Sequence, residues 1–344
     1  MPKVQQAGSR DVIRGRPTKL CLVFATLLGA LVLGGCEGGQ SALHPAGRGA
    51  EDIAQLFWWM WSGAALIWLA VMAIAFYATQ ARPEAHSEAG ARWLILGAGV
   101  AFPIVLLTVL LMYGLAMMPG LSATADADLR IEVAGEQWWW RVRYQTEEGE
   151  AVELANEIRL PVGRRVVLEL SSPDVIHSFW VPSLGGKMDM IPGRVNQLLL
   201  EPTRTGVFRG VCAEYCGSSH ALMKFEAVVM PVDEFDSWLA AQAQPAQPPQ
   251  DEAARRGMQA FARNGCSACH AIRGTEADGI MGPDLTHVGS RLTLAAGILG
   301  TDVDDFTHWI AQTHRIKPDA YMPAFDMLPE QELRDMAYYL SELE

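Results

Sequence analysis

Cysteine is scarce in this chain, with six in 344 residues, and none is spare. Cys21 and Cys36 fall in the N-terminal segment, Cys212 and Cys216 share one loop, and Cys266 and Cys269 share another. No pair is left over for a structural disulfide framework, which excludes the small stapled secreted folds. Positive charge is also short, with 27 Lys and Arg against 39 Asp and Glu and a net charge of −12. Residues 1–120 carry +2, whereas residues 121–250 and 251–344 carry −7 each. Such an acidic downstream region repels phosphate backbones and excludes nucleic acid as a partner. It serves ordinary solubility, or it draws in a basic protein partner. No internal repeat is present, which excludes solenoid and propeller arrays.

Charge is missing altogether from two long runs, residues 53–79 and 93–118. At about 1.5 Å per helical residue, each is long enough to cross a hydrocarbon core of roughly 30 Å. Trp58, Trp59, Trp61 and Trp93 stand near the run ends, where interface aromatics belong, and Pro103 is expected to kink the second run. Arg82 and Arg92 lie in the short connection and orient it toward the cytoplasm, so everything after residue 120 is expected outside. Ahead of the runs, Arg10, Arg14, Arg16 and Lys19 precede an apolar stretch from residue 20 to 33, the pattern of an export signal. Leu33-Gly-Gly-Cys36 resembles a bacterial lipobox, which would make Cys36 a lipidated N-terminus.

Residues 129–230 change to short alternating runs separated by Pro and Gly, with strands expected at 166–170, 197–200, 207–211 and 225–229. Trp138, Trp140, Val142 and Tyr144 share one face of a further strand. The pattern reads as a β-sandwich or Greek-key barrel closed by a short helix at 233–243. A Pro/Gln linker, 244–250, follows, semi-rigid and extended. Helical patterns then occupy 253–264, 301–313 and 329–343. The domain organisation expected is a signal with lipobox (1–36), a two-helix transmembrane hairpin (50–120), an all-β domain (121–243), the linker (244–250) and a small all-α domain (251–344).

Cys212-Ala-Glu-Tyr-Cys216-Gly-Ser-Ser-His220-Ala-Leu-Met223 packs two thiols, an imidazole and a thioether into twelve residues. These are soft-metal donors that favour copper over magnesium, calcium or manganese. Both sulfurs can face one point and bridge two ions, with His220, Met223 and the Glu214 carbonyl as further donors. One more imidazole is needed, and His177 is the best placed candidate. Structural zinc and a Cys212–Cys216 disulfide are the competing readings. Separately, Cys266-Ser-Ala-Cys269-His270 is a c-type haem attachment signal, two thioether cysteines followed by the iron ligand.

Cys212-x-Glu214-x-Cys216-x-x-x-His220-x-x-Met223 with the upstream His177 segment resembles the CuA site of cytochrome c oxidase subunit II. Gly135-Glu-Gln-Trp-Trp-Trp140 is similar to that family's aromatic strand, with Trp139 in place of the usual Tyr, and 187–197 resembles the segment that faces subunit I. The likeness spans about residues 50–242. It implies a cupredoxin-like Greek-key sandwich with copper ligands His177, Cys212, Glu214 (carbonyl), Cys216, His220 and Met223. It also implies a magnesium ion bound by the Glu214 side chain, electron entry at Trp138, and an interface role for Asp189 and Arg194. Glu88 is the nearest match to a proton-path glutamate. Met322 in 317–325 resembles the distal Met-Pro loop of class I cytochromes c, and Gly282-Pro-Asp-Leu285 resembles their haem-packing segment, which argues against Met281 as ligand. His287, His308 and His314 are rival sixth ligands, read as surface or packing residues, and Trp309, Tyr321 and Phe325 as haem-pocket walls.

Together these resemblances imply subunit II of a caa-type oxidase. Electrons would pass from a donor cytochrome c or cytochrome bc complex through covalent haem c and CuA to an oxygen-reducing site in another subunit, coupled to proton translocation. The partners implied are subunits I and III and membrane lipid. The location implied is the bacterial inner membrane, with both soluble domains on the periplasmic side. A nitric oxide reductase subunit and a membrane-anchored copper-delivery protein are the alternatives. Mutual repulsion of the two acidic domains leads one to expect docking on apolar contacts near Trp138.

Overall fold

The computed structural model describes residues 38–81, 87–122, 127–145 and 151–344. The export signal, the lipobox with Cys36, and Cys21 lie outside the described residues, as does Arg82.

The two charge-free runs form long helices, Arg48–Gln80 and Glu88–Met118, with almost every apolar side chain exposed. Hydrocarbon on all sides of a helix is stable only in lipid or against other helices. The first comprises α1 (Arg48–Phe76) and a wider π-helical turn, Tyr77–Ala81. The second runs from α2 (Glu88–Leu94), capped by the Ser87 hydroxyl on the Gly90 amide, into α3 (Phe102–Ser122). Between them, Ile95–Ala101 is π-helical, and the Phe102 amide reaches back to the Gly97 carbonyl. The distortion ends just before Pro103, which has no amide to donate and whose ring crowds the preceding turn. The start of α1 is tied to the β domain. Ala46 donates to the Ser183 carbonyl, Thr203 donates back to the Ala46 carbonyl, and the Thr203 hydroxyl reaches Glu51.

Among the described residues, ten strands form two facing sheets. The first has the order β3 (Ala151–Ala155), β2 (Trp139–Gln145), β1 (Leu129–Glu136), β5 (Val166–Ser171), β8 (Asn196–Leu200). The second has the order β4 (Glu157–Pro161), β10 (Lys224–Met230), β9 (Gly206–Cys212), β6 (His177–Trp180), β7 (Met188–Met190). The pairs β1–β5 and β4–β10 are parallel and the rest antiparallel, so the chain crosses repeatedly between sheets. Trp140, Val142 and Tyr144 face inward and are fully buried, as the period-two pattern requires. Trp140, Phe179 and Phe225 form a ring cluster with centroids 4.6–5.6 Å apart. The Tyr144 hydroxyl bridges the sheets, donating to the Arg159 carbonyl and accepting from the Arg159 amide. Helix α4 (Val232–Gln242) closes the domain, its Phe235 entering the core.

After the linker come α5 (Glu252–Arg263), α6 (Val303–Ile316) and α7 (Glu330–Ser341), with a second apolar core of their own. The Asp251 side chain caps α5 on the Ala254 amide, and Asp302 caps α6 on Asp305. α5 crosses α7 at Gly257, where an added Cβ would lie 1.9 Å from the Asp335 carbonyl oxygen. Only glycine permits this approach. Phe261 and Tyr339 stack edge to face beside it, and Arg256 pairs with Asp335.

The seam between the two modules carries polar contacts that the docking expectation did not name. The two apolar cores share no residue, and Trp138 belongs to the first. Hydrogen bonds that join the two modules involve Arg141, Glu157, Ser218, Ser219 and the Gln242 carbonyl of the β domain. Net charge misleads here because a few oriented dipoles at close range outweigh dispersed surface carboxylates in a screened solvent.

Replacing Gly257 with Ala should cost about 2 kcal/mol through forced helix separation and lower the melting transition of the helical domain by on the order of 10 °C. Differential scanning calorimetry of the full chain reads this, and an unchanged transition would contradict the crossing described.

Candidate metal centre and haem-attachment loop

Cys212 is the last residue of β9 and Met223 directly precedes β10, so the twelve-residue loop is the connection of an antiparallel pair. The Cys212 amide donates to the Met223 carbonyl at 3.0 Å and clamps the loop's base. β6 pairs β9 with Phe179 opposite Cys212, which brings His177 beside the loop from 35 residues away. All six donors named from the sequence meet there. Cys212 Sγ lies 3.8 Å from Cys216 Sγ, 3.8 Å from His177 Nδ1 and 3.1 Å from the Glu214 carbonyl oxygen. Cys216 Sγ lies 3.6 Å from His220 Nδ1 and 3.8 Å from Met223 Sδ. His177, Cys212 and Cys216 are buried and their ligand atoms fall within 4.8 Å of one another.

The spacing suits bridging thiolates. Metal–sulfur bonds of roughly 2.3 Å at a tetrahedral angle place two sulfurs about 3.8 Å apart. Both cysteines are free thiols in this arrangement. Cys212 is held well below the ordinary thiol range, chiefly by the Cys216 thiol donating to it and further by His177, and the pair's proton stays on Cys216. A site already biased toward thiolate, with imidazole and thioether beside it, fits soft copper ions.

Asp174 completes the site and was not named as a functional residue from the sequence. Its Oδ1 sits 2.9 Å from His177 Nε2, which fixes the ring and turns Nδ1 toward the sulfurs. Burial pushes the Asp174 carboxyl up, but the Val175 amide, His177 and the Gln137 amide outweigh it and hold the group below the usual carboxylate range. The signal available in the sequence was a carboxylate three residues before the histidine. Trp138 also touches the loop: its indole N–H donates to the Cys216 carbonyl at 3.0 Å, and Gln137 Nε2 donates to the same oxygen.

Glu214 faces two ways. Its carbonyl is turned toward Cys212, while its side chain is exposed and accepts from the Tyr215 amide. Arg194 is exposed, Asp189 is half-buried, and Glu88 opens α2.

In the helical domain, Cys266 begins a single 3-10 turn, Cys266–Ala268, and the His270 amide bonds back to the Cys266 carbonyl. Both cysteines are free and half-buried. His270 Nδ1 donates to the Pro283 carbonyl at 2.8 Å, leaving Nε2 for a metal. Burial holds this imidazole below its ordinary range, in the neutral form that can ligate iron. An added Cβ at Gly282 would lie 2.5 Å from His270 Cε1, so the chain can pass against the ring only as glycine. Met322 and Phe325 pack on this domain's core. His287 has both ring nitrogens against main-chain carbonyls, of Glu344 and Gln244. His314 Nε2 is paired with the Ala320 carbonyl, and His308 is exposed. Tyr321 is exposed and Trp309 half-buried. Lys317 is buried at the seam between the domains, and burial pushes its ammonium down to about 7.

Two family models match this chain. One is described as the periplasmic domain of cytochrome c oxidase subunit II and covers residues 145–230; the other, cytochrome c, covers residues 254–344. A cytochrome c oxidase subunit 2 of Alkalihalophilus pseudofirmus is 36% identical over 250 residues, covering 70% of each chain. That of Bacillus subtilis is 29% identical over 254 residues, covering 71% of this chain and 70% of the relative. Among solved structures, the periplasmic domain of subunit II of the Bradyrhizobium japonicum oxidase is 34% identical and covers 34% of this chain and 94% of its own, with a TM-score of 0.32. By the extent of the A. pseudofirmus match, the chain belongs to the cytochrome c oxidase subunit 2 family, with a cytochrome c domain following the copper-type domain.

Proposed function

We propose that this chain is the electron-entry subunit of a caa-type oxidase. It would take electrons from an external donor on its haem domain and hand them through its copper domain to subunit I, where oxygen reduction is coupled to proton translocation. The observation that carries the reading is the run of close contacts that joins His177 and the Glu214 carbonyl to Cys212, and His220 and Met223 to Cys216, through two sulfurs 3.8 Å apart. When bound, copper held by these six donors and haem held on Cys266, Cys269 and His270 would supply one-electron redox chemistry. The chain's own part is positioning. Asp174 orients His177, the β9–β10 register holds both sulfurs, and the Pro283 carbonyl sets the His270 tautomer.

Met322 is the sixth ligand in this reading, supported by its place on the haem-domain core and by the main-chain partners of His287 and His314. Trp138 is the electron entry residue of the copper domain, supported by its bond to the Cys216 carbonyl. The exposed Glu214 side chain, on a residue whose carbonyl faces the copper site, suits a magnesium ion held jointly with subunit I. The domain limits proposed are those of the sequence reading, with both soluble domains on the periplasmic side of the bacterial inner membrane. The proposed partners are subunits I and III and a donor cytochrome c or cytochrome bc complex.

The full chain, produced with haem maturation and copper loading and purified in detergent, should hold one covalent haem and two coppers. Its mixed-valence electron paramagnetic resonance signal should vanish in Cys216→Ser. Zinc in place of copper, or a Cys212–Cys216 disulfide after loading, would overturn the reading. Asp174→Asn should weaken copper binding about 10–100-fold in competition with a chelator, because His177 loses the anion that orients it. Unchanged affinity would remove Asp174 from the site.

A further inference from the structure

The hydrogen bonds across the seam are few and close, and most join a side chain of the copper domain to the main chain of the haem domain. Arg141 lies on β2 between the inward-facing Trp140 and Val142, so alternation places it on the outer face, yet it is only 7% exposed. Its guanidinium is gripped by Glu136 and Glu153 of its own domain and stacks 4.6 Å over Trp139. The remaining N–H group donates to the carbonyls of Ile280 and Met281, at 3.1 and 3.4 Å, in the loop that leads to Pro283 and so to His270. Glu157, 2% exposed, accepts the Leu292 amide at 2.9 Å while paired with Arg159. Arg291, half-buried next to Leu292, lies within electrostatic reach of Glu157 and Glu153 as well as its own Asp284.

The third contact lies on the copper loop itself. Ser219, wholly buried beside His220, donates to the Pro318 carbonyl at 2.6 Å, and Ser218 bonds Asp319. The loop carrying Met322 is thereby laid against the loop carrying Cys216 and His220. The linker adds a fourth restraint. Arg273 donates to the Gln242 and Gln244 carbonyls, Ala246 donates to the Arg273 carbonyl, and His287 Nε2 meets Gln244. Its first half is thus fastened to the haem domain and is not a free tether.

We propose that Arg141, Glu157 and Ser219 are positioning residues that fix the haem domain in one pose on the copper domain. Docking is then insensitive to ionic strength. The inference rests on the reading above only in naming the two domains by their cofactors. The haem-domain acceptors for Arg141 and Ser219 are main-chain carbonyls, and the Ser218 and Ser219 donors are neutral, so salt has little to screen in these contacts. Arg141 and Glu157 keep their ion pairs within the copper domain, and the cross-domain attraction of Arg291 to Glu157 and Glu153 is enclosed in the seam, where salt screens it little. The bulk charge on both domains is negative and opposes docking, so added salt has no attraction of that kind to remove.

The test uses the full chain in its assembled complex, with a protease site placed at residues 247–249, beyond the fastened half of the linker. After cleavage, the haem domain should co-elute with the complex at low and at molar salt. Glu157→Ala combined with Ser219→Ala should weaken retention by about 100-fold, near tenfold per buried contact. Glu157→Gln, which keeps an oxygen for the Leu292 amide, should retain the domain and so show that the effect is not misfolding. In the uncut chain, haem-to-copper transfer after photoinjection should be independent of solvent viscosity and become viscosity-dependent in the double variant. Release of the wild-type domain on cutting, loss of it at high salt, or equal retention by the double variant would each overturn the proposal. Retention is read by protein mass with and without copper, so it stands or falls independently of the copper assignment.

Discussion

The metal site depends on one register. β9 runs antiparallel to β10 with Val211 opposite Lys224, and antiparallel to β6 with Phe179 opposite Cys212. The first pairing closes the Cys212–Met223 loop at its base, so four donor side chains and one carbonyl crowd into the connection. The second brings in the distant imidazole. A slip of one residue in a strand turns each side chain to the opposite face. In β6 such a slip would carry His177 away from the sulfurs and leave a loop with a single imidazole. The aromatic cluster of Trp140, Phe179 and Phe225 underneath makes that slip costly, since it would expose Phe179. The packing that stabilises the sandwich therefore also fixes the ligand geometry.

The same economy operates in the haem domain. Gly257 lets α5 and α7 touch, which builds the core on which Met322 and Phe325 rest. Gly282 lets the chain pass against His270 so that the next carbonyl, Pro283, orients it. Each glycine is a point where backbone contact replaces a side chain. Both domains arrange a histidine in the same way: an acceptor on one ring nitrogen leaves the other open to a metal. Asp174 serves His177 and the Pro283 carbonyl serves His270.

Between the domains, the polar seam explains a burial that periodicity alone would misjudge. Arg141 belongs by alternation on a solvent-facing position, yet its guanidinium is enclosed by Glu136, Glu153 and the chain at Ile280 and Met281. A cation with its anions supplied by its own sheet brings little net charge to the interface. It can therefore present its remaining N–H group to a neutral carbonyl without attracting the partner's dispersed carboxylates.

Much of this protein was determined locally. Two charge-free runs set the membrane spans, because hydrophobic length is additive along the chain. The donor types of the Cys212–Met223 loop and the Cys266–His270 motif follow from spacing within a few residues. The strands at 166–170, 197–200, 207–211 and 225–229 followed from period-two alternation, and the three C-terminal helices from their own spacing. What the tertiary structure decided is what joins residues far apart. It seated His177 with Asp174 beside the sulfurs, buried Arg141, and set polar contacts at Glu157, Ser219 and Arg141 across the seam between the domains. Composition averages charge over a surface, whereas a hydrogen bond depends on individual atoms brought together by strand register, and periodicity along the chain carries no record of which distant strand will lie alongside.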